Sequence, residues 1–230
     1  VLAAPEDREP QSSLGFMLAR FAETLRGTTS WHLSGEKLDI QSVRARFASS
    51  IREGRRVLIA GTSFAFVHLC DAWIGDPVSL PAGSRIMQTG GFKGRSREIS
   101  PDRLAHMMGD RLGIPLDHIV GEYGMTELGS QLYQGQLRGG VDRYHPPPWL
   151  RVRAVDPLSL APVESGQIGI ARFVDLANVD SAVAIQTADR IRLHSDGTVE
   201  LLGRLPGSSP RGCSLALEHL FDDDNAEPRG

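Results

Sequence analysis

The sequence predicts an α/β fold: a parallel β-α-β sheet subdomain over residues 1–140, a smaller β-rich subdomain over 141–205, and a C-terminal segment over 206–230. Two observations predict the order. Short apolar runs ending in glycine, "RRVLIAG", "SRIMQTGG" and "DHIVGEYG", alternate with helical patterns at the spacing that parallel β-α-β units need. Past residue 140 the texture changes to alternating runs broken by glycines, as in "GQIGIARFVD" and "SAVAIQTADRIRLHSDGTVELLGR". The composition, 40% hydrophobic and 23% charged, is that of an ordinary globular protein, so both parts can build a core.

Each element has a local cause. In "SSLGFMLARFAETLR", Leu14, Met17, Leu18, Phe21, Ala22 and Leu25 fall on one helical face. Asp39 is placed to cap a second helix that stops near Gly54. "RRVLIAG" reads as a buried strand, and "TSFAFVHLCDAWI" as the helix after it. "SPDRLAHMMGDRLG" carries Ser100 as N-cap, Pro101 at the first helical position and Gly113 past the end. Asp196-Gly197, between two β-like runs, predicts a hairpin turn. The tail "FDDDNAEPRG" is acidic and predicts disorder.

Several function classes are disfavoured. The formal net charge is −3 with both signs interspersed, which is not the basic stripe of a nucleic-acid binder. No apolar run is long enough to span a bilayer. The N-terminus lacks the regions of a signal peptide, and it lacks an initiator Met, which predicts a processed or trimmed chain. Cys70 and Cys213, without a secretion signal, read as free thiols in the cytoplasm. There is no Walker A sequence, no Gly-x-Gly-x-x-Gly opening a helix and no Gly-x-Ser-x-Gly elbow. The histidines and cysteines have no zinc-site spacing.

Ligands of an open parallel sheet lie beyond the carboxyl ends of its strands. The three predicted strands end in "GTSFAF", "TGGFKG" and "GEYGMTE". Gly90, Gly91 and Gly124 permit close backbone approach. Tyr123 and Phe92 offer faces to a ring, and Lys93 offers positive charge. Thr126 offers a hydroxyl to phosphate. Glu127 is an oxygen ligand suited to Mg²⁺, which favours a carboxylate plus phosphate oxygens. The inventory suits a nucleotide. Each residue also has a plainer reading: the glycines as turns, Thr126 as a helix cap, Tyr123 as core packing and Lys93 as a solvated cation.

"EYGMTE" resembles the Tyr-Gly-x-Thr-Glu signature of the adenylate-forming enzyme superfamily. "TGGFKG" is similar to its adenine-flanking Gly-Gly loop. "TADRIRLHSDGTVELLGR" resembles its Thr-Gly-Asp … Gly-Arg segment, with Asp189 as the ribose-binding aspartate and Arg204 as the following arginine. Within the superfamily, "GSRIMQTGGFKGRSREIS", "VGEYGMTELGSQLY" and "GRLPGSSPRGCSLALE" resemble the LuxE-type acyl-protein synthetases, and the likeness covers roughly residues 12–220. That resemblance implies ATP and Mg²⁺ as cofactors, a fatty acid as substrate, acyl-AMP as intermediate and Cys213 as acyl acceptor. It also implies an acyl reductase as partner. Thr126 and Glu127 are then catalytic together with Cys213. A thiol is a competent acceptor when its pKa is lowered, and Arg211 beside Cys213 favours the thiolate; the plainer reading is a buried inert thiol. Cys70, in an apolar helical stretch, reads as inert.

Two departures accompany the likeness. Position 188 is Ala where the superfamily has Gly. "RGTTSWH" does not match the Ser/Thr/Gly-rich phosphate loop, which is therefore expected upstream of Val1. The expectation is a partial chain of an ATP-dependent acid-thiol ligase. The alternatives are an acyl- or aryl-CoA ligase of the phenylacetate-CoA ligase type, and a non-catalytic subunit that keeps the fold.

Overall fold

The structure is a computed structural model that describes residues 1–10, 12–34, 37–90, 99–135 and 142–208. Gly91, Phe92, Lys93, Arg211 and Cys213 lie outside the described residues, as does the acidic tail.

Helix α1 spans Ser13–Leu25 and is capped by Ser12, whose hydroxyl accepts from the Gly15 amide at 3.1 Å. A two-stranded ribbon, β1 (Leu33–Ser34) and β2 (Lys37–Leu38), follows, an element the sequence does not predict. Helix α2 (Ile40–Glu53) starts at Asp39, whose carboxylate accepts from the Ser42 amide at 2.9 Å, and ends on Gly54 at φ 63°. Strand β3 (Leu58–Thr62) runs straight into helix α3 (Ser63–Ala72), because the Thr62 hydroxyl accepts from the Ala65 amide and caps it. Strand β4 (Arg85–Thr89) and helix α4 (Pro101–Leu112) come next. Ser100 caps α4, and Gly113 leaves it at φ 64° with Ser79 close behind its Cα. Strand β5 (Ile119–Tyr123) completes the β-α-β series.

The remaining strands are β6 (Leu132–Gln134), β7 (Tyr144–His145), β8 (Leu150–Val155), β9 (Ile168–Asp175), β10 (Ala184–Leu193) and β11 (Val199–Arg204). Asp196 and Gly197 make the β10–β11 turn: the Asp196 carboxylate accepts from the Thr198 amide at 3.0 Å, and Gly197 adopts φ 80°. All but the first two strands join one mixed sheet in the order β3-β4-β5-β6-β7-β11-β10-β9-β8. The β3, β4 and β5 strands pair in parallel, and the other pairs are antiparallel.

Strand alternation sorts the core. Ile59 and Ile86 face a cluster with Val43, Phe47, Phe66, Leu104 and Met108, from α2, α3 and α4. Their neighbours Ala60 and Met87 face the opposite side, where Leu18 of α1 covers them. The parallel strands are therefore buried on both faces, which is why they read as continuous apolar runs. A separate cluster around Leu132, Val152, Phe173, Ile191 and Val199 supports the antiparallel strands.

Candidate active site

Parallel register sets the site. Thr62 pairs with Thr89, and Thr89 with Glu122, so the three strand ends lie side by side. The Thr89 hydroxyl donates to Glu122, and the Ser63 hydroxyl contacts Gln88 at 3.0 Å and the Gly90 carbonyl at 2.8 Å. Gly90 adopts φ 77°, a left-handed conformation that favours glycine. This polar row stitches the carboxyl edge of the sheet together. The sequence reading passed over Glu122, Ser63 and Gln88. A charged residue flanked by glycines at a strand end was the available signal.

Glu122 is buried at 5% exposure, and burial pushes its carboxyl above the usual range, partly offset by the hydrogen bond from Thr89. A raised carboxyl pKa means the folded state binds the proton more tightly than the unfolded state. That contribution to stability is fully present below the unfolded pKa and is lost as pH rises through the folded value. Glu122→Gln keeps an acceptor for Thr89 and removes the buried charge. It is expected to raise the urea midpoint at neutral pH, with the gain over wild type vanishing in acid. A gain that is equal at both pH values would contradict this account.

Tyr123 ends β5. Its phenol donates to Asp189 Oδ2 at 2.9 Å, and Arg204 Nη1 donates to Asp189 Oδ1 at 3.2 Å. Asp189 and Arg204 are register partners across β10–β11, beside an irregularity in β10 between Asp189 and Ile191. The bulge turns the Asp189 side chain towards the motif strand. Ala188, the departure from the superfamily pattern, accepts from the Leu205 amide at 2.9 Å at the same place. Burial, then the Asp189 carboxylate, holds the Tyr123 phenol protonated far above neutrality, so it acts as a donor. The Tyr123 ring packs 6.0 Å from Phe173 and 6.3 Å from Tyr144. Tyr123 thus packs against a core, its plainer reading from sequence, while its phenol reaches Asp189.

The motif leads into strand β6 and not into a helix, so Thr126 is not an N-cap; residues 124–131 form an irregular connection with a turn at Thr126 and Glu127. Gly124, Thr126 and Glu127 are exposed at its edge. A Cβ on Gly124 would lie 2.6 Å from a Glu122 carboxylate oxygen, so a larger residue there would displace the Glu122 side chain. The Thr126 hydroxyl lies 3.3 Å from that of Ser13, which brings the start of α1 beside the motif. The structure thus unites Gly90, Tyr123, Gly124, Asp189 and Arg204 with the Thr126–Glu127 edge close by in sequence. Cys70 is buried on the helix side, and burial pushes its thiol up to about 11, which agrees with an inert role. Among the described residues no cluster of three His, Cys, Asp or Glu is gathered for a metal, and no helix is long and apolar enough to cross a membrane.

This arrangement is the fold of the adenylate-forming enzymes. An ATP-bound chimera of RpMatB and BxBclM superposes with a TM-score of 0.59 at 15% identity, over 84% of this chain and 38% of the chimera. O-succinylbenzoate coenzyme A synthetase (MenE) from Bacillus subtilis, solved with ATP and a magnesium ion, superposes with a TM-score of 0.56 at 16% identity, over 83% of this chain and 39% of that one. The chain belongs to the acyl-protein synthetase, LuxE, family, whose model matches residues 15–222. Two curated relatives are long-chain-fatty-acid–luciferin-component ligases. That of Aliivibrio fischeri is 23% identical over 94% of this chain and 59% of its own length. That of Vibrio harveyi is 22% identical over 95% and 60%. The chain thus spans about three-fifths of the length of these relatives.

Proposed function

We propose that this chain supplies the adenosine-side wall and the acyl acceptor of an ATP-dependent fatty acid:protein ligase. The Tyr123–Asp189–Arg204 chain of hydrogen bonds carries the reading, because it draws "EYGMTE", "TAD" and "GR" into one cluster. Asp189 retains lone pairs for ribose hydroxyls while Tyr123 and Arg204 hold it still. Gly90, with Gly91 and Phe92 of the same motif, serves the adenine, as does Tyr123. Gly124 lets backbone approach, and Lys93 and Thr126 meet phosphate oxygens. Glu127 is an exposed carboxylate next to the Thr126 hydroxyl in sequence, which fits Mg²⁺ held mainly through nucleotide phosphates. When bound, Mg²⁺ supplies neutralisation of phosphate charge.

The fatty acid carboxylate attacks the α-phosphorus of ATP. The bond to the β-phosphate oxygen breaks, releasing pyrophosphate and leaving acyl-AMP. The Cys213 thiolate then attacks the acyl carbon, the bond to AMP breaks, and a thioester remains. Cys213 lies five residues beyond Ser208, a span of at most about 18 Å. Ser208 itself accepts from Arg204 Nε at 3.4 Å, so the last described residue lies at the cluster. A cytoplasmic setting keeps the thiol reduced, and an acyl reductase takes the acyl group onward.

The test uses the full-length protein, ATP, Mg²⁺ and a long-chain fatty acid, followed by peptide mass spectrometry. Acyl mass on the Cys213 peptide, released by hydroxylamine, is the expected result. Acyl transfer to coenzyme A that persists in Cys213→Ala supports a coenzyme A ligase instead. ATP-independent behaviour throughout overturns both.

A further inference from the structure

The turn that carries Thr126 and Glu127 is held from outside its own strand. Asn178, in the connection between β9 and β10, is 7% exposed, and its amide is fully engaged. Its Oδ1 accepts from the Gly129 amide at 2.6 Å. Its Nδ2 donates to the Glu127 carbonyl at 2.7 Å and to the Ala182 carbonyl at 3.0 Å. One side chain therefore grips the motif turn on both sides of Leu128, which is itself buried. A Cβ on Gly129 would lie 2.9 Å from Asn178 Oδ1, so glycine there is what allows the close approach. A second hold comes from the end of β9 and the residue before β8: Asp175, fully buried, accepts from the Ser130 hydroxyl at 2.8 Å, and Trp149 donates to that hydroxyl at 2.9 Å.

We propose that Asn178 is a positioning residue that sets the backbone of Glu127, and thereby aims its carboxylate at the Mg²⁺–phosphate group of the bound nucleotide. This rests on the role given to Glu127 above. The geometry supplies the reason. Glu127 is exposed, so packing does not orient it, and its carbonyl would otherwise be free to swing with the turn. Asn fits because the task needs one acceptor and two donors on a short planar group. Asp, isosteric, keeps the acceptor for Gly129 and loses both donors.

The experiment compares Asn178→Ala, Asn178→Asp and Glu127→Gln in the full-length protein. It reads the Mg²⁺ concentration for half-maximal acyl transfer, the KM for fatty acid, and amide hydrogen exchange of the ligand-free protein. The expected result is a rise in half-saturating Mg²⁺ of about tenfold, the usual scale for losing an orienting partner, with the fatty acid KM unchanged. Exchange at residues 127–130 should quicken while β3, β4 and β5 keep their protection. A variant that only melts earlier, with wild-type Mg²⁺ dependence, overturns the inference. If Asn178→Ala does not fold, the same readouts on Asn178→Asp decide it. A Glu127→Gln protein with unchanged Mg²⁺ dependence removes the role of Glu127 and the inference with it. A shift in Glu127→Gln without one in the Asn178 variants defeats the inference alone.

Discussion

Asp189→Ala in the full-length protein is expected to lower kcat/KM for ATP by about 10- to 100-fold, the scale of losing one or two hydrogen bonds to a charged acceptor. Asp189 is the junction of the site: it accepts from the Tyr123 phenol and from Arg204, and it faces the position proposed for the ribose. Removing it strands a phenol and a guanidinium. Arg204 is 30% exposed and Asp189 16%, so water recovers part of the lost pairing and the stability cost is about 1–2 kcal/mol. Tyr123→Phe removes one hydrogen bond and leaves the carboxylate in place. It should cost about 1 kcal/mol of stability and change nucleotide affinity far less. Titration calorimetry with AMP separates the two. An Asp189→Ala protein that binds AMP like wild type would exclude Asp189 from the nucleotide site.

Phe173→Ala should be the most destabilising single truncation in the β-rich half, at about 3–5 kcal/mol. Phe173 has no exposed surface and sits in the cluster with Val152, Leu132 and Ile191, against the Tyr123 ring. For a chain of this length that corresponds to a fall in melting temperature of roughly 10 °C. The loss reaches the site, because the cavity lies under Tyr123. Nucleotide binding should weaken in Phe173→Ala and recover in Phe173→Leu, which refills most of the volume. If calorimetry finds unaltered AMP affinity in the alanine variant, Tyr123 is held by its hydrogen bond rather than by packing.

Much of this architecture is legible in one dimension. Ser12, Asp39, Thr62 and Ser100 begin the α-helices among the described residues because a short oxygen side chain can satisfy an amide three residues on. Ser12 and Thr62 look from sequence like ordinary members of their helical runs; Asp39 and Ser100 are evident as caps. The three strands announce themselves because burial on both faces demands continuous apolar residues. The β1–β2 ribbon escaped notice because strands of two residues have no period to read.

The residues that tie the site together were less visible. Glu122 looks like a surface carboxylate until β4 is laid beside β5 and Thr89 meets it. Asn178 lies 51 positions from Glu127, in a segment that reads as an ordinary polar loop. Tyr123 and Asp189 stand 66 positions apart, and only the folding of β10 beside β11 turns that carboxylate towards the motif.

By itself the sequence determined the parallel β-α-β units, the Asp39 and Ser100 caps and the motif residues, all of which follow from interactions within a few residues. The tertiary structure alone decided which motif residues lie together and what holds them. Hydrogen bonds across dozens of positions depend on strand order and register, and those are set by the whole buried surface rather than by any local stretch.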